Sequence, residues 1–218
     1  MRHTRGVTWD LAAPVWEVAP TLLGAVLSHG EVSVRLVEVE AYDGDRDPAS
    51  HAYRGLTRRN AVMFGPPGHL YVYFTYGMHW ACNVACGPEG RASGVLIRAG
   101  EVIGGVEVAR ARRGTGSARD LARGPGRLTQ ALGIDGHHNG TFLLGDGPVT
   151  LTAGSPPAAV HSGPRVGVSA AADRPWRFWV SGDPHVSAYR RSRRAGAEAG
   201  APERHASSGA RGTAAQRE

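Results

Sequence analysis

Hydrophobic and polar positions alternate over much of this 218-residue chain, and that pattern predicts strands. The longest such segment is Val32–Tyr42. Two shorter ones, Leu70–Thr75 and His79–Cys86, are separated by a short turn that contains Gly77, so they are expected to pair as a β-hairpin. The other predicted strands are shorter, and they lie at 95–99, in a second hairpin over 142–152 and at Arg177–Val180.

Helices are predicted in three segments, 8–28, Val106–Arg113 and 128–132. Because strands outnumber helices and are joined mainly by turns, the pattern predicts an α+β fold built on an antiparallel sheet. The domain is expected to span residues 1–189. Residues 190–218 have no apolar period and are rich in Arg, so they are predicted to form a disordered basic tail.

The charge of the chain favours a polyanionic partner. Its net charge is +6 and its pI is about 10, and every one of its 25 basic residues is Arg. Nucleic acid is the commonest partner of this kind, although solubility alone would account for the charge equally well. No apolar run approaches the roughly 18–20 residues of a membrane span, and no secretory signal is recognisable, so a cytoplasmic protein is expected.

The two cysteines, Cys82 and Cys86, lie on one predicted strand. Four residues of extended chain would separate their Cα atoms by about 13 Å, which is too far for a disulfide. They are expected to be reduced, buried thiols. Two cysteines cannot hold a four-cysteine iron–sulfur cluster, and the neighbouring pair His137-His138 gives no zinc spacing, so no metal is expected.

One carboxylate, one histidine and a group of aromatic residues lie within the segment 37–78: Glu40, His51, Tyr71, Tyr73 and Tyr76. Aromatic rings can stack on a nucleobase taken out of a duplex, and a carboxylate can activate a water against the sugar carbon that carries the base. This combination is what a base-excising enzyme needs. On spacing alone, however, a solvated charge on a strand is the more ordinary explanation of Glu40. That explanation is also the one expected for Glu38, which shares a face with Leu36, Glu40 and Tyr42 by the period-two rule.

Arg98 lies in the otherwise apolar predicted strand 95–99, where an unpaired charge would be costly, so it is expected to pair with a carboxylate. From the residues alone, two other functions stay open. A module that only binds damaged or structured nucleic acid would need the aromatic residues but not Glu40. A carbohydrate-active hydrolase would usually need two carboxylates.

Several separated motifs carry a resemblance to a known family. The first is Glu38-Val39-Glu40-Ala41-Tyr42, and the others lie in the same order at 76–84, 94–99, 123–128, 164–168 and 174–178. On these motifs the chain resembles the alkyladenine (3-methyladenine) DNA glycosylase family, the methylpurine glycosylases, over about residues 22–187. The resemblance implies a single domain with a curved antiparallel sheet, flanking helices and a protruding hairpin. The first motif departs from the family's motif at Val39, where Thr is frequent.

The resemblance assigns roles to the residues of these motifs. Glu40 would be the catalytic glutamate, with Arg98 beside it near the catalytic water. Tyr42 would cover one face of a flipped base, with His51 and Tyr73 on the other face.

Three further residues gain a role from the resemblance. Asn83 would lie at the floor of the pocket and help to reject normal guanine. Tyr76 would wedge into the duplex, and Met63 would contact DNA from the opposite side. Structural hydrogen bonding by Asn83 and core packing by Met63 are the ordinary alternatives.

The function that the resemblance implies is that of a monofunctional DNA glycosylase. Such an enzyme flips alkylated or deaminated purines out of duplex DNA and excises them hydrolytically in base excision repair, leaving an abasic site. The implied protein is a monomer that acts at the nucleoid and needs neither metal nor organic cofactor. The preferred lesion stays open among 3-methyladenine, 7-methylguanine, hypoxanthine and ethenoadenine.

Overall fold

The computed structural model describes residues 9–75, 77–114 and 116–195. Within these residues eight strands form one sheet: β1 (Val26–His29), β2 (Val32–Tyr42), β3 (Leu70–Thr75), β4 (His79–Cys86), β5 (Ser93–Gly104), β6 (Val149–Thr152), β7 (Val160–Gly163) and β8 (Arg177–Val180). The order along the main path is β3-β4-β5-β2-β1-β6, and β8 pairs with both β2 and β7. All of these pairings are antiparallel and the sheet curls into half a barrel, which confirms the predicted α+β class.

Three α-helices of the described residues pack against this sheet: α1 (Val15–Thr21), α2 (Val106–Arg113) and α3 (Pro125–Leu132). The second was predicted with these bounds, and the third begins earlier than predicted, at Pro125, a residue that suits the first turn of a helix. No helix in the described part of the chain combines the length and the hydropathy that a membrane crossing requires.

The first helix is much shorter than the predicted 8–28, whose first residue lies outside the described residues. The chain leaves the helix and turns at Gly24, which has a φ of +84° and donates its N–H to the carbonyl of Leu36 at 2.8 Å. A Cβ at Gly24 would lie 2.2 Å from the carbonyl oxygen of Ser155, so only glycine fits there. The following residues therefore form β1 rather than more helix.

The second predicted hairpin is also wrong. Phe142 makes only an isolated bridge with His69, whereas Val149–Thr152 forms β6, which pairs with β1 instead. The sheet is completed by β7, a short and mostly exposed strand that the hydrophobic pattern did not indicate.

The apolar residues of β2 change face in the middle of the strand. Those that lie in the main core are Val32, Val34 and Leu36, followed by Val39 and Ala41. The pairing of β2 with β5 shifts register between Leu36 and Glu38, so Val37 is the extra residue of a β-bulge.

This bulge corrects the predicted face of Leu36. Leu36 lies in the core, whereas Glu40 and Tyr42 point to the opposite face, where the Tyr42 hydroxyl donates to Glu40 at 2.8 Å. A regular strand would have sent Glu38 and Glu40 into the apolar core along with Leu36. The bulge therefore allows one strand to build the core and to carry two acidic residues on its other face.

The strands β3 and β4 pair from Leu70 opposite Val84 to Thr75 opposite His79, as the predicted hairpin requires. Gly77 in the connection has a φ of +64°, which a turn of this kind needs. Tyr76 lies outside the described residues, and so does the predicted tail from residue 196 onward.

Cys82 and Cys86 lie on the core face of β4 and are not bonded to each other. Burial raises the pKa of each thiol to about 12. The prediction of reduced, buried cysteines is confirmed, and neither thiol is reactive at neutral pH.

Candidate active site

The sheet face opposite the core lines a cavity of about 360 Å³. Its walls come from β3, β4 and β5 on one side and from the loop 166–170 on another. A volume of this size falls within the range of about 300–1,000 Å³ that small-molecule sites occupy. Six of the eight predicted site residues line it: Tyr42, His51, Met63, Tyr73, Asn83 and Arg98.

Glu40 lies directly beneath the wall of this cavity and is fully buried. Its Oε1 accepts a hydrogen bond from the backbone N–H of Val166 at 2.7 Å. Its Oε2 accepts from Arg98 Nη1 at 3.2 Å and from the Tyr42 hydroxyl at 2.8 Å. All three donors belong to residues that line the cavity, so the carboxylate is held by the cavity wall itself.

The two oxygens of Glu40 are not equally occupied. Among the described residues Oε2 accepts two hydrogen bonds and Oε1 accepts one. A carboxylate oxygen has two lone pairs, so Oε1 has the capacity to accept one further donor.

Tyr42 is a donor to Glu40 and not an acid in its own right. Burial and the nearby Glu40 carboxylate raise the pKa of Tyr42 well above its ordinary value. The hydroxyl therefore keeps its proton and can donate it in a hydrogen bond. The guanidinium carbon of Arg165 lies over the Tyr42 ring, 4.6 Å from its centroid.

Arg98 has the carboxylate partner that the sequence predicted, and in fact it has two. Its Nε donates to Glu38 Oε1 at 3.0 Å, and its Nη1 donates to Glu40. Burial alone would lower the pKa of Arg98, but the two carboxylates outweigh it and the pKa is raised. The guanidinium is thus a permanent cation at the cavity wall.

Glu38 is not the solvated charge that the sequence suggested. It is fully buried, and its Oε1 accepts from Arg98 Nε, from Arg177 Nε at 2.7 Å and from the Ser187 hydroxyl at 2.9 Å. Its Oε2 accepts from the Ser187 backbone N–H at 2.6 Å. The prediction failed because these partners lie far away in sequence, on β5, on β8 and beyond β8.

His51 and Tyr73 form an aromatic corner of the cavity. Their ring centroids are 4.4 Å apart with the rings nearly perpendicular, and Tyr73 also stacks on Tyr71 at 5.4 Å. Desolvation and the charge of Arg59 lower the pKa of His51, so its imidazole is neutral at physiological pH. Tyr71 is buried and packs with Ala52, Met63 and Ala92 in a second, smaller cluster.

Asn83 and Met63 occupy the part of the cavity wall next to Tyr71. Asn83 is nearly buried, and its Nδ2 donates to the Tyr71 carbonyl at 3.2 Å. Met63 is 3% exposed and packs in the second cluster, so it serves as core there. Both side chains face the cavity, and the contacts with a base or with DNA stay predictions.

Sequence reasoning assigned no role to Arg165 and Asp47. Arg165 is fully buried, donates from both Nη1 and Nη2 to the two carboxylate oxygens of Asp47, and also donates to the Ala41 carbonyl at 3.0 Å. Arg165 therefore ties the end of β2 to its own loop, in which the next residue, Val166, donates to Glu40. Arg165 lies in the motif 164–168, one of those that carry the family resemblance, and this position is the signal that could have found it. Nothing distinguishes Asp47 from its acidic neighbours in sequence.

No group of three or more His, Cys, Asp or Glu side chains among the described residues is placed to hold a metal ion.

Comparison with known proteins decides the family of this chain. Residues 10–184 match the family model described as methylpurine-DNA glycosylase. The chain belongs to this family. The resemblance predicted from separated motifs is therefore confirmed, and the protein is a DNA glycosylase, a hydrolase of N-glycosyl bonds that acts in DNA repair.

Curated relatives of this methylpurine-DNA glycosylase align over most of their length. A protein of Nocardia farcinica is 58% identical over 186 residues, which cover 81% of this chain and 88% of that one. One of Streptomyces avermitilis is 56% identical over 189 residues, covering 82% and 89%, and one of Frankia casuarinae is 53% identical over 193 residues, covering 83% and 91%. Each is named "Putative 3-methyladenine DNA glycosylase".

Proposed function

We propose that this protein is a monofunctional glycosylase that flips alkylated or deaminated purines, of the 3-methyladenine type, out of duplex DNA and excises them with a water molecule. The observation that carries the proposal is Glu40, held by three donors under the wall of an aromatic cavity large enough for a base. The family supplies the general class, and the names of the relatives supply the substrate.

The cavity suits a flipped purine because aromatic rings line it. Tyr42 comes from the end of β2, and His51 and Tyr73 pack against each other with their ring centroids 4.4 Å apart. Stacking of a base on an aromatic ring contributes about 1–3 kcal/mol, and alkylated bases that carry a positive charge are also attracted to ring faces. A neutral His51 adds no repulsion toward such a base.

In the proposed reaction the water held at Glu40 Oε1 attacks C1′ of the sugar. A bond forms between the water oxygen and C1′ as the bond between C1′ and the base nitrogen breaks. The electron pair leaves with the base, and Glu40 takes the proton from the water. The negative charge of Glu40 also stabilises the positive charge that develops on the sugar.

The partner in this proposal is double-stranded DNA that carries a damaged purine, and the protein acts as a monomer at the nucleoid. The net charge of +6 favours attraction to the phosphate backbone. Two exposed arginines, Arg58 and Arg59, lie beside the cavity corner, and Arg59 is 5.5 Å from the centroid of Tyr73. They are well placed to contact phosphates near the flipped nucleotide.

Release of free base from single-lesion duplexes tests the proposal against its two rivals. Duplexes with 3-methyladenine, 7-methylguanine, hypoxanthine or ethenoadenine compete in one reaction, and the released bases are quantified. Release of at least one damaged base is expected. A protein that binds these duplexes without releasing any base would be a binding module, and one that hydrolyses oligosaccharides instead would be a carbohydrate-active hydrolase.

Tyr76→Ala is expected to weaken flipping far more than folding, because the ring is predicted to lie exposed in the turn between β3 and β4 and to fill the gap left by the flipped base. The excision rate and the affinity for lesion DNA should fall, while the melting temperature changes little. Phe142→Ala is the matched control, because it removes an exposed ring that packs on His69 next to the other end of β3. Unchanged excision by Tyr76→Ala, or its unfolding, would remove the wedge role.

Two truncations are expected to differ. The carbonyl of Arg190 accepts a hydrogen bond at 2.9 Å from the N–H of Gly167, which lies in the loop that lines the cavity. A chain that ends at residue 195 keeps this bond and should retain the wild-type excision rate, with a weaker dependence of DNA binding on salt. A chain that ends at residue 189 should be folded but slower. Equal rates for the two would show that the bond does not support the cavity loop.

A further inference from the structure

Four charged side chains form a continuous buried chain beside the cavity: Glu40, Arg98, Glu38 and Arg177. Arg98 donates from Nη1 to Glu40 and from Nε to Glu38, and Arg177 donates from Nε to the same Glu38 oxygen. None of the four is more than 8% exposed. The charges alternate in sign, so each carboxylate lies against at least one guanidinium.

Glu38 cannot serve as a second base. Its two oxygens accept four hydrogen bonds from Arg98, Arg177 and the hydroxyl and N–H of Ser187. All three donors to Glu40 line the cavity, whereas Arg98 is the one donor to Glu38 that does. Arg98, which donates to both carboxylates, is therefore the contact that links Glu38 to Glu40.

The backbone places Arg98 between the two carboxylates. Glu38 is paired with Ala99 and the next residue, Val39, with Ile97, so Arg98 is the extra residue of a second bulge, on β5. The bulge directs Arg98 to the cavity face of the sheet. Its guanidinium can then bond to Glu38 and Glu40 at once, which a regular pairing would not favour.

We propose that Glu38 is a positioning residue that shares the charge of Arg98 with Glu40 and so preserves the basicity of Glu40. Without Glu38, the whole guanidinium charge would be directed at Glu40, which would then be a poorer acceptor for a proton from water. Arg177 tunes this effect, because it neutralises part of the charge of Glu38. This inference rests on the proposed function, since it assumes that Glu40 is the base.

The other charged and titratable groups that face these carboxylates are accounted for by their own partners. Arg165 acts on Glu40 through space but is paired with Asp47, and Tyr42 keeps its proton. Ser187 is a neutral donor to Glu38. Substitutions at Glu38 and Arg177 therefore change the charge next to Arg98 while leaving the other neighbours of Glu40 in place.

The test is the pH dependence of single-turnover excision from duplex DNA of the damaged base that the wild-type protein releases fastest among the four lesions. A base must be deprotonated to act, so the rate rises with pH through an acid limb. Glu38→Gln removes a negative charge and should move the midpoint of this limb to lower pH by about one unit, with a lower plateau rate, as expected for a charge several ångströms away. Arg177→Gln removes a positive charge and should move the midpoint to higher pH.

Ser187→Ala is the control, because it removes a hydrogen bond to the same Glu38 oxygen without changing any charge. It should lower the melting temperature slightly and leave the midpoint unmoved. All variants are assayed well below their melting temperatures, and lesion affinity is measured in parallel. If Glu38→Gln does not fold, the comparison of Arg177→Gln with Ser187→Ala is the test: the midpoint should move to higher pH in the first and stay unmoved in the second.

Opposite movements of the midpoint in the two charge variants support the positioning role, because general loosening of the site would move both the same way or neither. An unmoved midpoint in Glu38→Gln or Arg177→Gln, or a shift of both in one direction, would overturn it. Failure of the proposed function has a different signature, since the wild-type protein would then release no base from any of the four single-lesion duplexes, or Glu40→Gln would release the damaged base at the wild-type rate.

Discussion

Glu40→Gln is expected to lower the single-turnover excision rate at least about 100-fold, the low end of what loss of a general base costs. Lesion DNA should still bind, because the rings of the cavity are untouched. Glutamine keeps the shape but offers one acceptor oxygen where glutamate offers two, so Val166 or the Arg98–Tyr42 pair loses its bond. That loss should destabilise the fold by about 1–3 kcal/mol, which leaves a folded protein.

Glu101→Gln is the matched control for this variant. Glu101 is a partly exposed carboxylate on β5 that pairs with Arg35 at 2.7 Å, away from the cavity. It should excise at the wild-type rate. Glu40 would have no place in the mechanism if Glu40→Gln also excised near the wild-type rate, or if both variants slowed excision equally.

Asp47→Asn is expected to destabilise the fold strongly. The side chains of Asp47 and Arg165 are both fully buried, and Asp47 is the carboxylate that compensates the Arg165 charge. Breaking a buried ion pair from one side costs about 3–5 kcal/mol, because the remaining charge has no counterion. For a domain of this size that loss corresponds to a melting temperature lower by roughly 6–20 °C.

The excision rate of Asp47→Asn should also fall, and by more than any weaker binding of DNA explains. The reason is that Arg165 holds the loop from which Val166 donates to Glu40. Asp173→Asn provides the comparison, because Asp173 forms an exposed pair with Arg191 at 3.8 Å. Its melting temperature should match that of the wild type. If the melting temperature of Asp47→Asn fell as little as that of Asp173→Asn, the role assigned to the buried pair would be contradicted.

The order of hydrophobic and polar residues predicted those strands and helices whose conformation depends on neighbouring residues in the sequence. The alternation in 32–42 and the Gly77 turn gave the correct strands, and the α2 bounds followed from its own residues. The bulge at Val37 was not predictable, because it arises from pairing with β5 and leaves the alternation of residue types unchanged. The long helix and the second hairpin failed for a similar reason, since contacts of Gly24 and of Phe142 with distant segments override their local preference.

The candidate site divides in the same way. Glu40, Tyr42 and Arg98 were found from a motif and from the cost of a buried charge, and the cavity brings Tyr42 and Arg98 together with His51 and Tyr73. The surroundings of Glu38 could not be predicted, because Ser187 lies 149 residues away in the chain. In a regular strand a period of two tells which face a residue occupies, but it does not tell what covers that face.

The chain offers an unusually direct test of how the base is displaced. Glycosylases that also cut the strand use an amine to form a Schiff base with the sugar, and this chain contains no lysine. Its ordinary amine is the N-terminus, which precedes the residues matched by the family. Arginine stays protonated and cannot replace it.

The decisive measurement is product analysis after incubation of the wild-type protein with a hypoxanthine-containing or alkylated duplex, with and without borohydride. Attack by a water held at Glu40 predicts free base, a strand that stays intact until alkali is added, and no protein–DNA adduct trapped by borohydride. A trapped adduct on a residue of the site, or strand cleavage without alkali, would contradict direct displacement by water.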